Sequence, residues 1–181
     1  MRPLVKAASL IAALALPLAA AHAALAVGAA APAFDTQASV AGKDFDFNLK
    51  KALKKGPVVL YFFPKVFTKG CTIEANQFSE AADEFNKLGA TVVGVSADPI
   101  EEVRKFSVEE CRNKFAVGVA TPAMIKAYDA ELIMTGLTGR SNRTSYVIAP
   151  DGKIIFAFTA MKPDGHVSGS LDAVKAWKAK N

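Results

Sequence analysis

The chain has few of the residues that build metal sites and paired-thiol centres: its 181 residues include two cysteines, two histidines and one tryptophan. The cysteines, Cys71 and Cys111, stand forty positions apart. Cys71-Thr72-Ile73-Glu74 carries no second cysteine, so the C-x-x-C pair of a thiol–disulfide oxidoreductase is missing. A copper carrier would want closely spaced cysteines with a histidine, and His22 and His166 stand near neither cysteine in sequence. Charge of one sign is not concentrated. The net charge of +5 includes Arg2 and Lys6, which leaves +3 for residues 24–181. Lys50, Lys51, Lys54 and Lys55 read as the solvated face of a short helix, and no basic stripe of the kind that meets nucleic acid is present. Internal repeats, low-complexity tracts and linkers are lacking too. Beyond residue 23 no apolar run reaches the ~20 residues needed to span a bilayer.

The one long apolar run is at the start. Arg2 and Lys6 precede Ala7 to Ala21, and Ala21-His22-Ala23 reads as a small-residue cleavage site. The run is short for a membrane anchor and is broken by Pro17. This order of parts predicts a secretory signal peptide over residues 1–23, cleaved after Ala23, and a periplasmic or secreted protein. Residues 24–181 then form one domain. In an oxidising compartment two cysteines raise the question of a disulfide, and counting alone leaves a structural or a catalytic bond open.

Along that domain strands alternate with helices. Ala24 to Phe34 is an Ala/Pro-rich extended arm, Lys43 to Phe47 a short strand, and Asn48 to Lys55 a helix stopped by Gly56-Pro57. Pro57 to Phe63 is a continuous apolar run dominated by β-branched and aromatic residues, as expected of a strand buried on both faces. Cys71 to Leu88 has helical spacing, with Ile73, Phe78, Ala81, Phe85 and Leu88 apolar. A second buried strand covers Ala90 to Val95, and Pro99 opens a helix extending to Asn113. Phe115 to Val119 reads as a strand and Ala123 to Asp129 as a short helix. Tyr146 to Ile148 and Ile154 to Phe158 flank the turn Pro150-Asp151-Gly152, and Leu171, Val174 and Trp177 line a final helix. The pattern predicts an α/β domain with a mixed central sheet between helical layers, parallel crossovers first and a hairpin at the edge.

The chemistry gathers where the first buried strand ends. After Pro64 the chain reads Lys65-Val66-Phe67-Thr68-Lys69-Gly70-Cys71, which puts Cys71 in the first turn of a helix behind a short loop. Unpaired amides and the positive end of the helix dipole favour a thiolate there, and the thiolate is the nucleophile toward peroxide. Thr68, three residues upstream, can turn its hydroxyl toward the sulfur, or serve only as a helix cap. Pro64 can shield the pocket while offering no competing N–H. Glu74 reads as a partner of the helix dipole. Phe62, Phe63 and Phe67 read mostly as core, with one of them available to line the pocket, and His166 as an exposed loop residue.

Pro64, Thr68 and Cys71, in the spacing P-x-x-x-T-x-x-C, resemble the active-site motif of the peroxiredoxins. With Lys65, Phe67, Gly70, Thr72 and Glu74 the segment is similar to the bacterioferritin comigratory protein (PrxQ) branch of the AhpC/TSA family. Arg143, in Arg143-Thr144-Ser145-Tyr146-Val147-Ile148, resembles the family's active-site arginine, and Arg140 is its nearby competitor. The resemblance implies a thioredoxin-like three-layer fold and a thiol-dependent peroxidase acting on hydrogen peroxide and organic hydroperoxides. It implies a peroxidatic Cys71 that becomes a sulfenic acid, with Thr68, Arg143 and loop amides holding the peroxide oxygens. It further implies a thioredoxin-like thiol reductant, a monomer, and no metal, haem or flavin.

The sequence departs from that branch at three places. Asn76 occupies the position of a common resolving cysteine, Val66 that of a frequent acidic residue and Lys69 that of a frequent proline. Since other members carry a resolving cysteine in the next helix, the resemblance assigns that role to Cys111, on the helix face of Ile100, Val103 and Ser107. Condensation with Cys71 would then require the first turn of the Cys71 helix to unwind, because bridged Cα atoms lie within ~7 Å. The competing reading is a binding or redox-sensing module of the same fold with a structural Cys71–Cys111 disulfide.

Overall fold

The computed structural model describes residues 24–133 and 139–181. The signal peptide expected over residues 1–23 lies outside the described residues. Twelve elements follow the arm: β1 (Asp35–Val40), β2 (Lys43–Asn48), α1 (Leu49–Leu53), β3 (Val58–Phe62), α2 (Lys69–Lys87) and β4 (Thr91–Ser96), then α3 (Ile100–Glu109), β5 (Ala116–Val119), α4 (Pro122–Ala127), β6 (Thr144–Ile148), β7 (Ile154–Thr159) and α5 (His166–Lys178). The strands make one seven-stranded sheet in the order β2-β1-β5-β4-β3-β6-β7. β3, β4 and β5 run parallel, and β1, β6 and the two edge strands join antiparallel.

All five residues of β3 are buried, because this strand has neighbours on both sides and helices on both faces. Val59, Tyr61 and Phe63 face one core with Phe78 and Phe85 of α2, Val103 and Phe106 of α3, and Val174 of α5. Leu60 and Phe62 face the other core with Leu49 and Leu53 of α1 and Met124 and Ile125 of α4. Each such side chain contributes about 1.5–3 kcal/mol by leaving water. The sheet is therefore the middle of three layers, and both cysteines belong to the first core.

Three features depart from the expectation. β1 was not anticipated, because Asp35-Thr36-Gln37-Ala38-Ser39-Val40 lacks the aromatic and β-branched run of a strand. Ala38 and Ser39 are nevertheless buried, paired with Gly118 and Val117. Its hairpin to β2 turns at Ala41 and Gly42, both left-handed (φ 51° and 74°), and a left-handed alanine is an unusual turn signal. Hairpins thus occupy both edges of the sheet, where one was expected. The helix expected through Asn113 ends at Glu109, and Arg112 and Asn113 turn left-handed (φ 49° and 62°).

Candidate active site

β3 delivers the chain to Pro64, and the loop from Lys65 to Thr68 crosses the carboxyl ends of the parallel strands before α2 begins. Three contacts hold this loop. The Val66 amide donates to Asp98 Oδ2 (2.9 Å), Arg140 Nη1 donates to both Asp98 Oδ1 and the Pro64 carbonyl (3.1 Å each), and the Ser141 hydroxyl donates to the Phe63 carbonyl (2.9 Å). Asp98 is buried in the middle of the β4–α3 connection, and no motif in the sequence points to its role. Arg140 is therefore the loop's clamp, through the two contacts of its Nη1 with Asp98 and Pro64.

Cys71 is the third residue of α2 and is buried at 1% exposure. Arg143, just ahead of β6, reaches it directly: Nη2 lies 3.3 Å from Cys71 Sγ. Gly70 admits the guanidinium, since a Cβ there would meet Arg143 Nη2 at 3.0 Å. The other arms of the guanidinium are also fixed. Nε donates to the Met161 carbonyl (3.0 Å), and Nη1 pairs with Glu74 Oε2. A charged donor locked against a sulfur in a buried pocket is arranged to stabilise negative charge there.

Thr68 stands at the N-cap of α2, yet its side chain makes no cap bond. Its hydroxyl donates to the Lys65 carbonyl (3.0 Å), within the loop, and makes no hydrogen bond to Cys71. Pro64 is half-buried beside the clamp. Phe62 and Phe63 are core residues, as expected. Phe67 is left-handed (φ 59°) and 43% exposed, with its ring edge-on to Phe106.

Two residues differ plainly from the sequence reading. Glu74 is not a first-turn partner of the helix dipole; it lies beyond the first turn of α2, fully buried against Arg143, and burial pushes its carboxyl up to about 8. His166 is not an exposed loop residue; it opens α5, fully buried, with Nδ1 2.8 Å from Ser145 Oγ and Nε2 2.9 Å from the Ala160 carbonyl. Burial lowers its basicity. Both lie on periodic inner faces, Glu74 with Cys71, Ala75 and Phe78, and His166 with Ser170 and Val174.

Cys111 lies two residues past α3 in a turn, not within a helix. Its amide donates to the Phe106 carbonyl, and its own carbonyl accepts from Ser79 Oγ of α2 (both 3.0 Å). Both cysteines are free thiols. Burial, with Glu110 next to it, pushes the Cys111 thiol well up. The surrounding segment is tied to α2 by Asn76–Glu110, Arg112–Glu80 and Lys114–Asp83. Among the described residues no cluster of histidine, cysteine and carboxylate forms a metal site.

The model of the AhpC/TSA family matches residues 27–157. The chain belongs to that family. A putative peroxiredoxin bcp of Helicobacter pylori (strain J99) is 33% identical over 158 residues, covering 83% of this chain and 98% of the relative. Peroxiredoxin Bcp of Xanthomonas campestris is 30% identical over 123 residues, 66% of this chain and 76% of the relative. The crystal structure of Peroxidoxin BcpB from Mycobacterium tuberculosis superposes with a TM-score of 0.74 at 28% identity, covering 83% of this chain and 96% of that one. This chain is a peroxiredoxin of thioredoxin-like fold, a thiol-dependent peroxidase. The module with a purely structural disulfide is not favoured.

Proposed function

We propose that Cys71 is the thiol that meets the peroxide and that Cys111 resolves it. The observation that supports this most is the 3.3 Å contact of Arg143 Nη2 with Cys71 Sγ. In the first step the Cys71 thiolate attacks one peroxide oxygen. An S–O bond forms, the O–O bond breaks, and the departing oxygen takes a proton to leave as alcohol or water, with Cys71 a sulfenic acid. Arg143 and the loop amides stabilise charge growing on the departing oxygen. Thr68 Oγ1, whose proton goes to Lys65, offers lone pairs suited to the O–H of a hydroperoxide. Pro64 has no N–H to compete for the substrate.

In the second step the Cys111 sulfur attacks the sulfenic sulfur, an S–S bond forms and water leaves. Cys111 is bonded to Ser79, eight residues along α2 from Cys71. At ~1.5 Å per helical residue that is about 12 Å of axial separation, against the ~7 Å limit for bridged Cα atoms. The first two turns of α2 therefore unwind before the bond forms. Left-handed Phe67, Arg112 and Asn113 flank both cysteine segments, and such residues store strain that an opening releases.

A thioredoxin-like dithiol would then reduce the disulfide. The leader-like residues 1–23 support export and a donor in the periplasm or beyond, and the working unit is taken as the monomer. The test is stopped-flow consumption of hydrogen peroxide by residues 24–181 in the reduced state. Cys71→Ser is expected to abolish it with an unchanged circular dichroism spectrum, and appreciable remaining activity would overturn the assignment.

A further inference from the structure

Arg143 is a buried cation that serves two acids. Its Nη1 touches the Glu74 carboxyl, and its Nη2 the Cys71 thiol. In so little solvent one positive charge supports one negative charge well and two poorly. Which acid carries it depends on what can hold the other's proton.

The second oxygen of Glu74 answers that. Glu74 Oε1 is buried with no hydrogen-bond partner among the described residues, and His166 Nδ1 is 3.6 Å away. The tautomer of His166 follows from its other nitrogen. Nε2 faces the Ala160 carbonyl, which only accepts, so Nε2 carries the hydrogen. Nδ1 is then the acceptor, to which the Ser145 hydroxyl donates at 2.8 Å, and a proton on Glu74 Oε1 would share that lone pair. An ionised Oε1 facing that lone pair gains nothing, whereas a protonated Oε1 has an acceptor in front of it. Closing from 3.6 Å to a hydrogen bond takes a shift of about half an ångström.

We propose that Glu74, held against His166 Nδ1, takes up the proton that Cys71 gives up, leaving the charge of Arg143 to the Cys71 thiolate. This rests on the reading of Cys71 as the peroxidatic thiol. The pocket stays neutral in both states: Arg143 with ionised Glu74 and a thiol, or Arg143 with neutral Glu74 and a thiolate. When the thiolate is consumed, the departing alkoxide or hydroxide takes one proton and Glu74 releases one, so the count closes. The groups facing Glu74 are Cys71 on its own helix, Arg143 ahead of β6, His166 of α5, and Tyr61 of β3, whose hydroxyl feels the charge of Glu74. The raised carboxyl of Glu74 agrees with a proton held near neutrality. Glu74 and His166 touch no reacting atom and are positioning residues.

The experiment reads the Cys71 thiolate by its ultraviolet absorbance, reduced protein minus Cys71→Ser, together with the pH profile of kcat/KM. Glu74→Gln keeps an oxygen for Arg143 and cannot ionise, so the thiolate-to-thiol ratio at neutral pH is expected to rise severalfold and the profile to move to lower pH. His166→Gln keeps the donor to Ala160 and removes the acceptor facing Glu74, so the ratio should fall. His166→Asn, which keeps a polar atom at that place, should recover it. In a Glu74→Gln background His166→Gln should change nothing. An unchanged or lower ratio in Glu74→Gln overturns the proposal, as does a His166→Gln effect that persists in that background. If His166→Gln does not fold, the Glu74→Gln result decides alone. Peroxide consumption by Cys71→Ser would instead overturn the peroxidatic reading, so the two failures are distinct.

Discussion

Replacing Arg143 with alanine separates its two duties. The guanidinium is 3% exposed and makes three contacts, with Cys71, Glu74 and the Met161 carbonyl. Losing a charged donor from a developing oxyanion costs on the order of 10²–10³ in rate, about 3–4 kcal/mol. Losing one partner of a buried ion pair costs ~3–5 kcal/mol of stability. Glu74 limits the second cost, because its carboxyl already sits at about 8 with Arg143 present and rises further without it. The stranded group is therefore neutral at neutral pH, as it already largely is beside Arg143, which holds the loss to about 3 kcal/mol, the low end of that range. About 1 kcal/mol of this is the unpaired Met161 carbonyl. Adding Glu74→Gln should recover the remaining part and none of the rate. The assay is a urea midpoint beside stopped-flow peroxide kinetics for both variants. Near-wild-type kinetics in Arg143→Ala, or a rate restored along with the stability in the double variant, would refute this reasoning.

One equivalent of peroxide should give an intramolecular Cys71–Cys111 disulfide by peptide mapping, while Cys111→Ser over-oxidises Cys71 at lower doses; equal resistance to over-oxidation would reduce Cys111 to a packing residue. Glu74 has a folded value of about 8 against an ordinary 4.5, so the folded state binds the extra proton and wild type loses stability relative to Glu74→Gln as pH rises from about 4.5 to about 8. A difference that stays flat across that window would show the carboxyl is not raised. Gly94→Ala should destabilise by about 1–3 kcal/mol, since its Cβ would meet the Tyr61 ring at 2.5 Å in a packed core; a urea midpoint at the wild-type value would contradict that packing.

The central strands were legible because burial on both faces demands uninterrupted apolar residues, and Val58 to Phe62 and Thr91 to Ser96 obey that demand. β1 was not, because it satisfies the sheet through small and polar residues. Thr36 bonds the Val119 carbonyl at 2.5 Å, and Gly118 would bring a Cβ to 3.0 Å from the Thr36 methyl. Nothing in a hydropathy pattern records such a close approach. The end of α3 was misread for a related reason. Cys111 and Phe115 continue the apolar spacing, while the left-handed Arg112 and Asn113 carry no glycine signal.

The site shows the same division. Cys71, Thr68 and Pro64 could be read because they lie within one short segment whose spacing is fixed by a loop and a helix turn. Arg143 could be read only as a landmark, since its contact with Cys71 joins residues 72 positions apart. Behind it, the burial of Glu74 and His166 is not legible in sequence, because charged residues seldom bury without a partner, and a sequence does not display partners. Periodicity held the missing signal. Glu74 is in phase with Cys71 and Phe78, and His166 with Ser170 and Val174, so both pointed inward. A buried acid and a buried base that share a face with the nucleophile carry a proton question that no surface pair carries. The orphaned Oε1 of Glu74, aimed at a histidine lone pair, is where the structure poses it.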